Sequence, residues 1–412
     1  MKIVLAYSGG LDTSVALPWL REHHDAEVIA YCADLGQADD LATVERRAWQ
    51  AGAADVVIED LRDTYLRDHV FRALRAGAAY EDRYLMAAPL GRPLIGRRLV
   101  EIAHERGATA VAHGSTGKGN DQVRFYAAAV AHDPGIRVIG PAMEWELGSR
   151  ADELAYARRH GIEVDATDDS PFSMDGSLWG TSTELGPLDD PSWPPDERVF
   201  QLTTSPREAP DTPHRLTLEF VAGTPVALDG ERLDPVPLVE RLNTIAGRHG
   251  IGRVDIVENS LLGIKSRAIY ESPAGTVLHL AHRELESLVI DRDTLHHKGE
   301  VGRRYAELVY YGLWYSPLRE ALDAFVDVTQ ARVDGTVDLE LYKGTATVLG
   351  RRSDNALYSH SLSAHDDRDQ FAHHLGEGFS YVWSMPLRLR ALTGDPRTPA
   401  SATTGSVPGM QP

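Results

Sequence analysis

Cysteine is almost absent from this chain. Cys32 is the only one in 412 residues, which excludes an internal disulfide framework and any zinc site built on cysteine pairs. It equally excludes a two-cysteine sulfur relay within one chain. Long apolar runs are missing as well: no window approaches the roughly 18 consecutive apolar residues of a membrane span. The N-terminus, Lys2-Ile3-Val4-Leu5-Ala6-Tyr7, reads as a strand rather than a signal peptide. Positive charge is in deficit, with 42 Lys and Arg against 61 Asp and Glu and a formal net charge of −19. That balance argues against wholesale binding of nucleic acid or an anionic membrane. Backbone N–H groups can still hold a small anion locally. A soluble cytoplasmic protein with small-molecule partners is the expectation.

The length suggests two domains and a third small element. Up to about residue 165, short apolar runs alternate with helical patterns. Ile3–Ala6, Val28–Ala33, Asp55–Ile58, Thr109–Ala112 and Ile136–Ile139 read as buried strands. Arg92–Arg106 and Ser149–His160 are the clearest helices, with Ser149 as N-cap, and Pro18 should kink or shorten the first helix. Strands separated by helices imply a doubly wound parallel sheet, an α/β nucleotide-binding domain over residues 1–168. Residues 166–213 are rich in turn formers, notably Thr167–Pro171 and Pro191–Pro195, and read as a linker with ordered loops. A second α+β synthetase and oligomerisation domain is expected over 169–360. In it Arg215–Val221, Thr224–Leu228 and Val254–Val257 read as strands, Pro237–Ala246 as a helix, Tyr305–Val333 as one long helix and Thr336–Leu349 as further β structure. A C-terminal helical extension over 361–394 and a disordered tail over 395–412 complete the expected organisation.

The chemistry gathers at strand ends. Directly after the first strand comes Ser8-Gly9-Gly10-Leu11-Asp12-Thr13-Ser14. Two glycines allow a tight turn, three hydroxyls add donors, and the next helix aims its N-terminus at the same place, which suits a pyrophosphate-like anion. The run lacks the Lys of a Walker A loop. After the second strand, Ala33-Asp34-Leu35-Gly36-Gln37 offers a small residue for adenine packing. After the fourth, Gly114 to Arg124 concentrates glycines with Thr116, Asn120, Asp121 and Arg124. Loops leaving the same sheet edge build one two-walled site.

AYSGGLDTS, ADLGQ and HGSTGKGNDQVRF, in this order and spacing, resemble the argininosuccinate synthase family within the N-type ATP pyrophosphatase class. The similarity continues through YEDRYLMAAPLGRPLIGRRLVEIA, SMDGSLWGTSTELGPLDDP, GRHGIGRVDIVENSLLGIKSRAIYESPAG and YAELVYYGLWYSPLREALDAF, covering about residues 1 to 350. The resemblance implies that a ureido oxygen of citrulline attacks the α-phosphorus of Mg-ATP, and that the amine of aspartate then displaces AMP. No covalent protein nucleophile and no resident metal are implied, Mg2+ arriving with ATP. By resemblance, ATP lies on Ala6, Tyr7, Ser8, Gly9, Gly10, Leu11, Asp12, Thr13, Ser14, Ala33 and Gly114. Aspartate meets Thr116, Asn120 and Asp121. The ureido substrate meets Tyr84, Asn120, Arg124, Ser173, Ser182, Glu258 and Tyr270. Asp12, Arg92, Asp121 and Arg124 are assigned positioning roles, and a homotetramer is implied.

The sequence departs from the family pattern at Ala88, Pro89, Tyr126, Ala142, Met143, Gly176, Ser177 and Ser260. These changes are expected to gather around the ureido pocket, leaving the ATP loops intact. Two alternatives therefore stand beside the citrulline reaction: the same chemistry on another ureido acceptor, and a non-catalytic nucleotide-binding protein. The apolar content of Tyr305–Val333 and Val337–Leu341 exceeds what one exposed surface would carry, so a homo-oligomer is expected. Burial within the second domain is the competing account.

Overall fold

Runs of Val, Ile, Leu and Ala bounded by turn formers have the composition of strands covered on both faces. The computed structural model describes residues 1–38, 40–163 and 172–393. In it β1 (Lys2–Ala6), β2 (Glu27–Asp34), β3 (Asp55–Asp60), β4 (Ala110–His113) and β5 (Arg137–Ile139) form one sheet. All neighbours pair in parallel, in the order β3-β2-β1-β4-β5. Alternate residues of β1 serve opposite cores. Ile3 and Leu5 pack with the helices Leu11–His24 and Arg150–Arg159, while Val4 packs with Ala87–Arg106 and Asp121–His132. Strand order reverses between β1 and β4, where a crevice opens beyond the carboxyl ends of a doubly wound sheet.

The remaining strands are β6 (Ser173–Ser177), β7 (Gly180–Glu184), β8 (His214–Val221), β9 (Thr224–Leu228), β10 (Glu231–Arg232), β11 (Arg253–Asn259), β12 (Lys265–Glu271), β13 (Gly335–Tyr342) and β14 (Thr345–Arg352). They build two antiparallel sheets, β10-β9-β8-β13-β14 and β11-β12-β7-β6. One large core joins Leu216, Leu218 and Phe220 to helices Pro235–Arg248, Pro273–Val289 and Arg292–Tyr310. Residues 1–357 constitute one compact unit, and the described residues from 358 to 393 belong to a second. Within the second, His374–Trp383 and Met385–Leu392 are helices without a single buried residue. Among the described residues no helix is long and apolar enough to cross a membrane.

Several expectations need correction. The helix Leu11–His24 runs uninterrupted through Pro18. Proline there forfeits the bond to the Ser14 carbonyl, but Val15, Ala16, Leu17, Trp19 and Leu20 are all buried around it, and that packing overrides the local preference. Helix Ala87–Arg106 begins at Ala87 rather than Arg92, and likewise contains Pro93. The stretch read as a linker is partly sheet, because β6 and β7 form a hairpin that pairs with β12. Its turn run Thr167–Pro171, and the tail expected over 395–412, lie outside the described residues.

The long helix expected over Tyr305–Val333 is two helices, Arg292–Tyr310 and Pro317–Gln330. Gly312 breaks it at φ +76, and a Cβ there would stand 3.0 Å from Cα of Arg124. Its apolar residues are buried inside the same unit: Tyr305, Val309, Tyr310, Val333, Val337, Leu339 and Leu341 are each 0% exposed. The apolar content of this segment thus gives no reason to expect an oligomer.

The hairpin turn is tied to the nucleotide-binding sheet by Leu178 N–H donating to the Leu35 carbonyl at 2.8 Å. Gly36 sits at φ +85, and a Cβ on it would lie 2.7 Å from Cβ of Leu178. Gly36→Ala is therefore expected to destabilise the fold by about 2 kcal/mol or more, read as a lowered urea midpoint with an unchanged m-value.

Candidate active site

The first wall is the turn between β1 and the helix Leu11–His24. Gly9 takes φ +78. Ser8 N–H donates to Thr13 Oγ1 at 3.3 Å, Gly10 N–H donates to Ser8 Oγ at 3.3 Å, and the Tyr7 and Ser14 hydroxyls meet at 2.9 Å. No side chain caps this helix, so its first N–H groups are available to an anion, with the helix dipole in the same sense. Leu11 is buried in the core and offers only backbone. The turn from β4 lies against this one so closely that a Cβ on Gly114 would stand 2.8 Å from Thr13 Cγ2. Only glycine permits that approach. Ala33, at the end of β2, receives Gln37 Nε2–H on its carbonyl at 2.9 Å. Beside these turns a cleft of about 420 Å³ is lined by Asp12, Thr116, Ala142, Trp145, Arg150 and Glu153, among others.

The second wall is one face of the sheet β11-β12-β7-β6. Ser173 pairs with Glu184, Asp175 with Ser182, Ser182 with Tyr270 and Tyr270 with Val254. Directly paired residues point the same way and the side-chain period is two, so Ser173, Asp175, Ser182, Glu184, Tyr270 and Glu258 share a face. The opposite face is closed by Thr183 and Ile269 against Phe172, Leu188 and Val199. A crevice of only about 10 Å³, room for a single water, lies among Leu35, Tyr84, Ala88, Arg92, Asp175 and Ser182. Tyr84 stacks on Tyr270 with ring centroids 3.6 Å apart, while Ser173 is exposed at the rim.

Buried charge fixes the junction of the two walls. Asp121 accepts from Arg92 Nε at 2.7 Å and from Arg124 Nη1 at 2.6 Å, and Arg92 reaches on to Asp175. Burial alone would raise Asp121, but the two guanidinium groups hold it far below the usual carboxylate range. Arg124 also donates from Nε to the Tyr310 carbonyl at 2.9 Å, and lies 4.8 Å from the centroid of that ring. Its Nη2 is buried and has no hydrogen-bond partner among the described residues. Asn120 donates to the Tyr310 hydroxyl at 3.0 Å and accepts from Leu261 N–H at 2.8 Å. Glu258 is buried, which raises it, and accepts from the Tyr310 hydroxyl and, at 3.0 Å, from that of Tyr270.

Tyr310, Asp175 and Glu184 were not among the site residues expected from sequence. Tyr310 had a signal in the Gly312 and Pro317 that follow it; the polar strands β6 and β7 gave none. Of the departures from the family pattern, Ala88 lines the crevice with Gly176 and Ser177, and Pro89 is buried in the first turn of Ala87–Arg106. Tyr126 and Met143 are exposed, 56% and 48%, Ala142 faces the other cleft, and Ser260 lies in the turn between β11 and β12. Half of the changes thus lie at or beside the crevice and half lie away from it.

A phosphate-ready turn at the switch point of a parallel sheet, closed by a carboxylate- and tyrosine-lined antiparallel sheet, defines a nucleotide-dependent enzyme of the α/β class. Residues 2–163 match the family model described as arginosuccinate synthase N-terminal HUP domain, and residues 172–390 the arginosuccinate synthase C-terminal domain. The match therefore runs well past residue 350, where the resemblance in the sequence weakened. An argininosuccinate synthase of Rhodococcoides fascians is 55% identical over 95% of this chain and 100% of its own length. Those of Pelotomaculum thermopropionicum and Carboxydothermus hydrogenoformans are 53% and 50% identical, over 95% and 96% of this chain and 98% of each relative. The chain belongs to the argininosuccinate synthase family.

Glu153 supplies a pH test of this cleft. Burial, then the hydrogen-bonded Asp12 carboxylate, push it from its ordinary 4.5 up to about 8. A carboxyl raised on folding contributes stability that is present below its unfolded pKa and lost as pH rises through the folded one. Stability of the ligand-free chain should accordingly fall between about pH 4.5 and pH 8. Glu153→Gln should remove part of that fall, matching the wild type near pH 4 and melting higher above pH 8 by scanning calorimetry.

Proposed function

We propose that this chain makes argininosuccinate from citrulline and aspartate, converting ATP to AMP and pyrophosphate. The observation that carries this reading is the shared wall between the two subsites. Asn120 and Asp121 end the second nucleotide-side loop, yet Asp121 bonds to Arg92, which lines the crevice, and Asn120 to Tyr310, which holds Glu258 of the second wall. An α-phosphorus on the first wall and a ureido group on the second would therefore be neighbours, and holding them so supplies most of what an uncatalysed encounter lacks.

ATP, taken as its Mg2+ complex, places its phosphates on the Ser8–Ser14 turn and its adenine near Ala33. The ureido oxygen attacks the α-phosphorus and pyrophosphate leaves, its charge met by the free N–H groups and hydroxyls of that turn. The cation is taken as part of the substrate complex. The aspartate amine then attacks the activated ureido carbon and AMP departs. Aspartate rests on Thr116, Asn120 and Asp121, the last using lone pairs that its two arginines leave over. The crevice is narrow as it stands.

Citrulline is the preferred acceptor because the departures at the crevice lining, Ala88, Gly176 and Ser177, leave Arg124, Glu258 and Tyr270 in place, and Tyr126, Ala142, Met143 and Ser260 lie away from it. Pyrophosphate and AMP should form in equal amounts only when ATP, aspartate and citrulline are all present. Arg124→Lys, which loses the planar fork and the unpartnered Nη2, should raise the citrulline KM about ten- to a hundredfold. Turnover with another ureido compound but not citrulline would favour the altered-acceptor reading, and none with any acceptor a non-catalytic one.

We also propose a homo-oligomer, a tetramer, in the cytoplasm. Its support is the segment His374–Leu392, whose Phe379, Trp383 and Leu387 are 63%, 69% and 71% exposed on the single chain. Apolar side chains in such number call for a cover, and a second copy supplies one. Light scattering should report four chains, and Trp383→Glu with Leu387→Glu should shift the mass downward while leaving the far-ultraviolet circular dichroism intact.

A further inference from the structure

The loop that follows β4 is anchored at its start by a side chain from the sheet. His113 ends that strand, paired in register with Ala6 of β1, and only 2% of it is exposed. Its Nδ1 accepts from the Ser115 N–H at 3.2 Å. Its ring stacks on Phe125 in the helix Asp121–His132, with centroids 5.5 Å apart and planes inclined by 14°. Gly140, just beyond β5, leaves the ring its room: a Cβ there would come within 3.1 Å of His113 Cε1.

The bond to Ser115 fixes the chemistry of the imidazole. A backbone N–H can only donate, so Nδ1 carries no proton and the neutral ring holds its proton on Nε2. Burial favours that neutral form, pushing His113 from 6.5 down to about 4 against the opposite pull of Asp121. Beyond Ser115 the loop is thinly held. Gly119 N–H donates to the Thr116 carbonyl at 3.1 Å and Gln122 Nε2 to the Gly117 carbonyl at 3.3 Å, both bonds internal to the loop and its helix. The reaction described above makes no use of His113. Yet this residue touches both ends of the stretch that carries Thr116, Asn120 and Asp121, Ser115 before it and Phe125 after it.

We propose that His113 is a positioning residue for the aspartate nucleophile, acting through Ser115 and Thr116 without touching a substrate. This rests on the reading that places aspartate on Thr116, Asn120 and Asp121. The Nδ1 lone pair sets the backbone at Ser115, so the groups that follow are in place before aspartate arrives. No bond is made or broken at His113.

The test compares the full chain with H113F, which keeps a flat ring against Phe125 but has no acceptor, and with H113N, whose amide oxygen occupies the bond position of Nδ1. H113F should raise the aspartate KM about tenfold, the worth of one hydrogen bond, with the ATP and citrulline constants within about threefold. H113N should recover most of that loss. Histidine nitrogen-15 spectra near neutral pH should contain one signal, absent from both variants, of a neutral ring protonated on Nε2. Equal rises for all three substrates, an unchanged aspartate KM, H113N as poor as H113F, or a proton on Nδ1 would each overturn the assignment. Should H113F not fold, H113Q, with its oxygen one bond farther out, takes its place. Should the wild type turn over no acceptor, the proposed activity fails, and calorimetric titration with aspartate decides on His113: weaker binding to H113F than to the wild type and H113N sustains it, and equal or absent binding in all three overturns it.

Discussion

Asp121 carries two guanidinium groups, and the site is organised around that arrangement. Arg92 reaches it from the helix Ala87–Arg106, Arg124 from its own helix, and Arg92 extends to Asp175 on β6. The network therefore spans the parallel sheet and an antiparallel one. Arg124 is buried and Arg92 and Asp121 are partly so, and removing one member leaves another short of its partner. Such a constraint makes the junction between the two walls a fixed distance rather than an adjustable one, which a reaction between two bound substrates requires.

Around the charges stands an aromatic frame. Tyr84 lies on Tyr270, and Tyr80 on Tyr310, each pair with ring centroids 3.6 Å apart. Tyr270 and Tyr310 converge on Glu258, while Tyr80 donates to the Asn259 carbonyl at 2.7 Å. Large rings with few rotatable bonds, those of Tyr80, Tyr270 and Tyr310 tied at their hydroxyls, stiffen the pocket wall and leave little entropy to lose on binding. The segment His374–Leu392 is the opposite case, helical but without a core of its own.

The parallel sheet and its loops were legible because two local signals agree there. Apolar runs such as Ile3–Ala6 announce buried strands, and glycines directly after them announce turns. The carry-over from the family named Glu258 and Tyr270, which meet as a hydrogen-bonded pair. Glu184 and Asp175 stayed hidden for a physical reason. Ser173–Ser177 and Gly180–Glu184 contain hardly any apolar residues, and their strand identity comes from cross-strand pairing with β12 rather than from their own pattern. Tyr310 was obscured because its neighbours are apolar on both sides of Gly312, so two helices read as one. The proline in Leu11–His24 misled in the other direction, since local preference yielded to a tightly packed surround.

The turn Asp34–Gln37 belongs to both walls at once. Ala33 precedes it beside the nucleotide loops, Leu35 lines the crevice, and the Leu35 carbonyl is held by Leu178 of the hairpin. A ligand that stiffens this turn from one side spends ordering free energy that a ligand on the other side then need not supply. Substrates bound as proposed on the two sides would in consequence be thermodynamically linked through four residues of backbone: whatever factor the nucleotide contributed to affinity for the ureido compound, the ureido compound would return to the nucleotide.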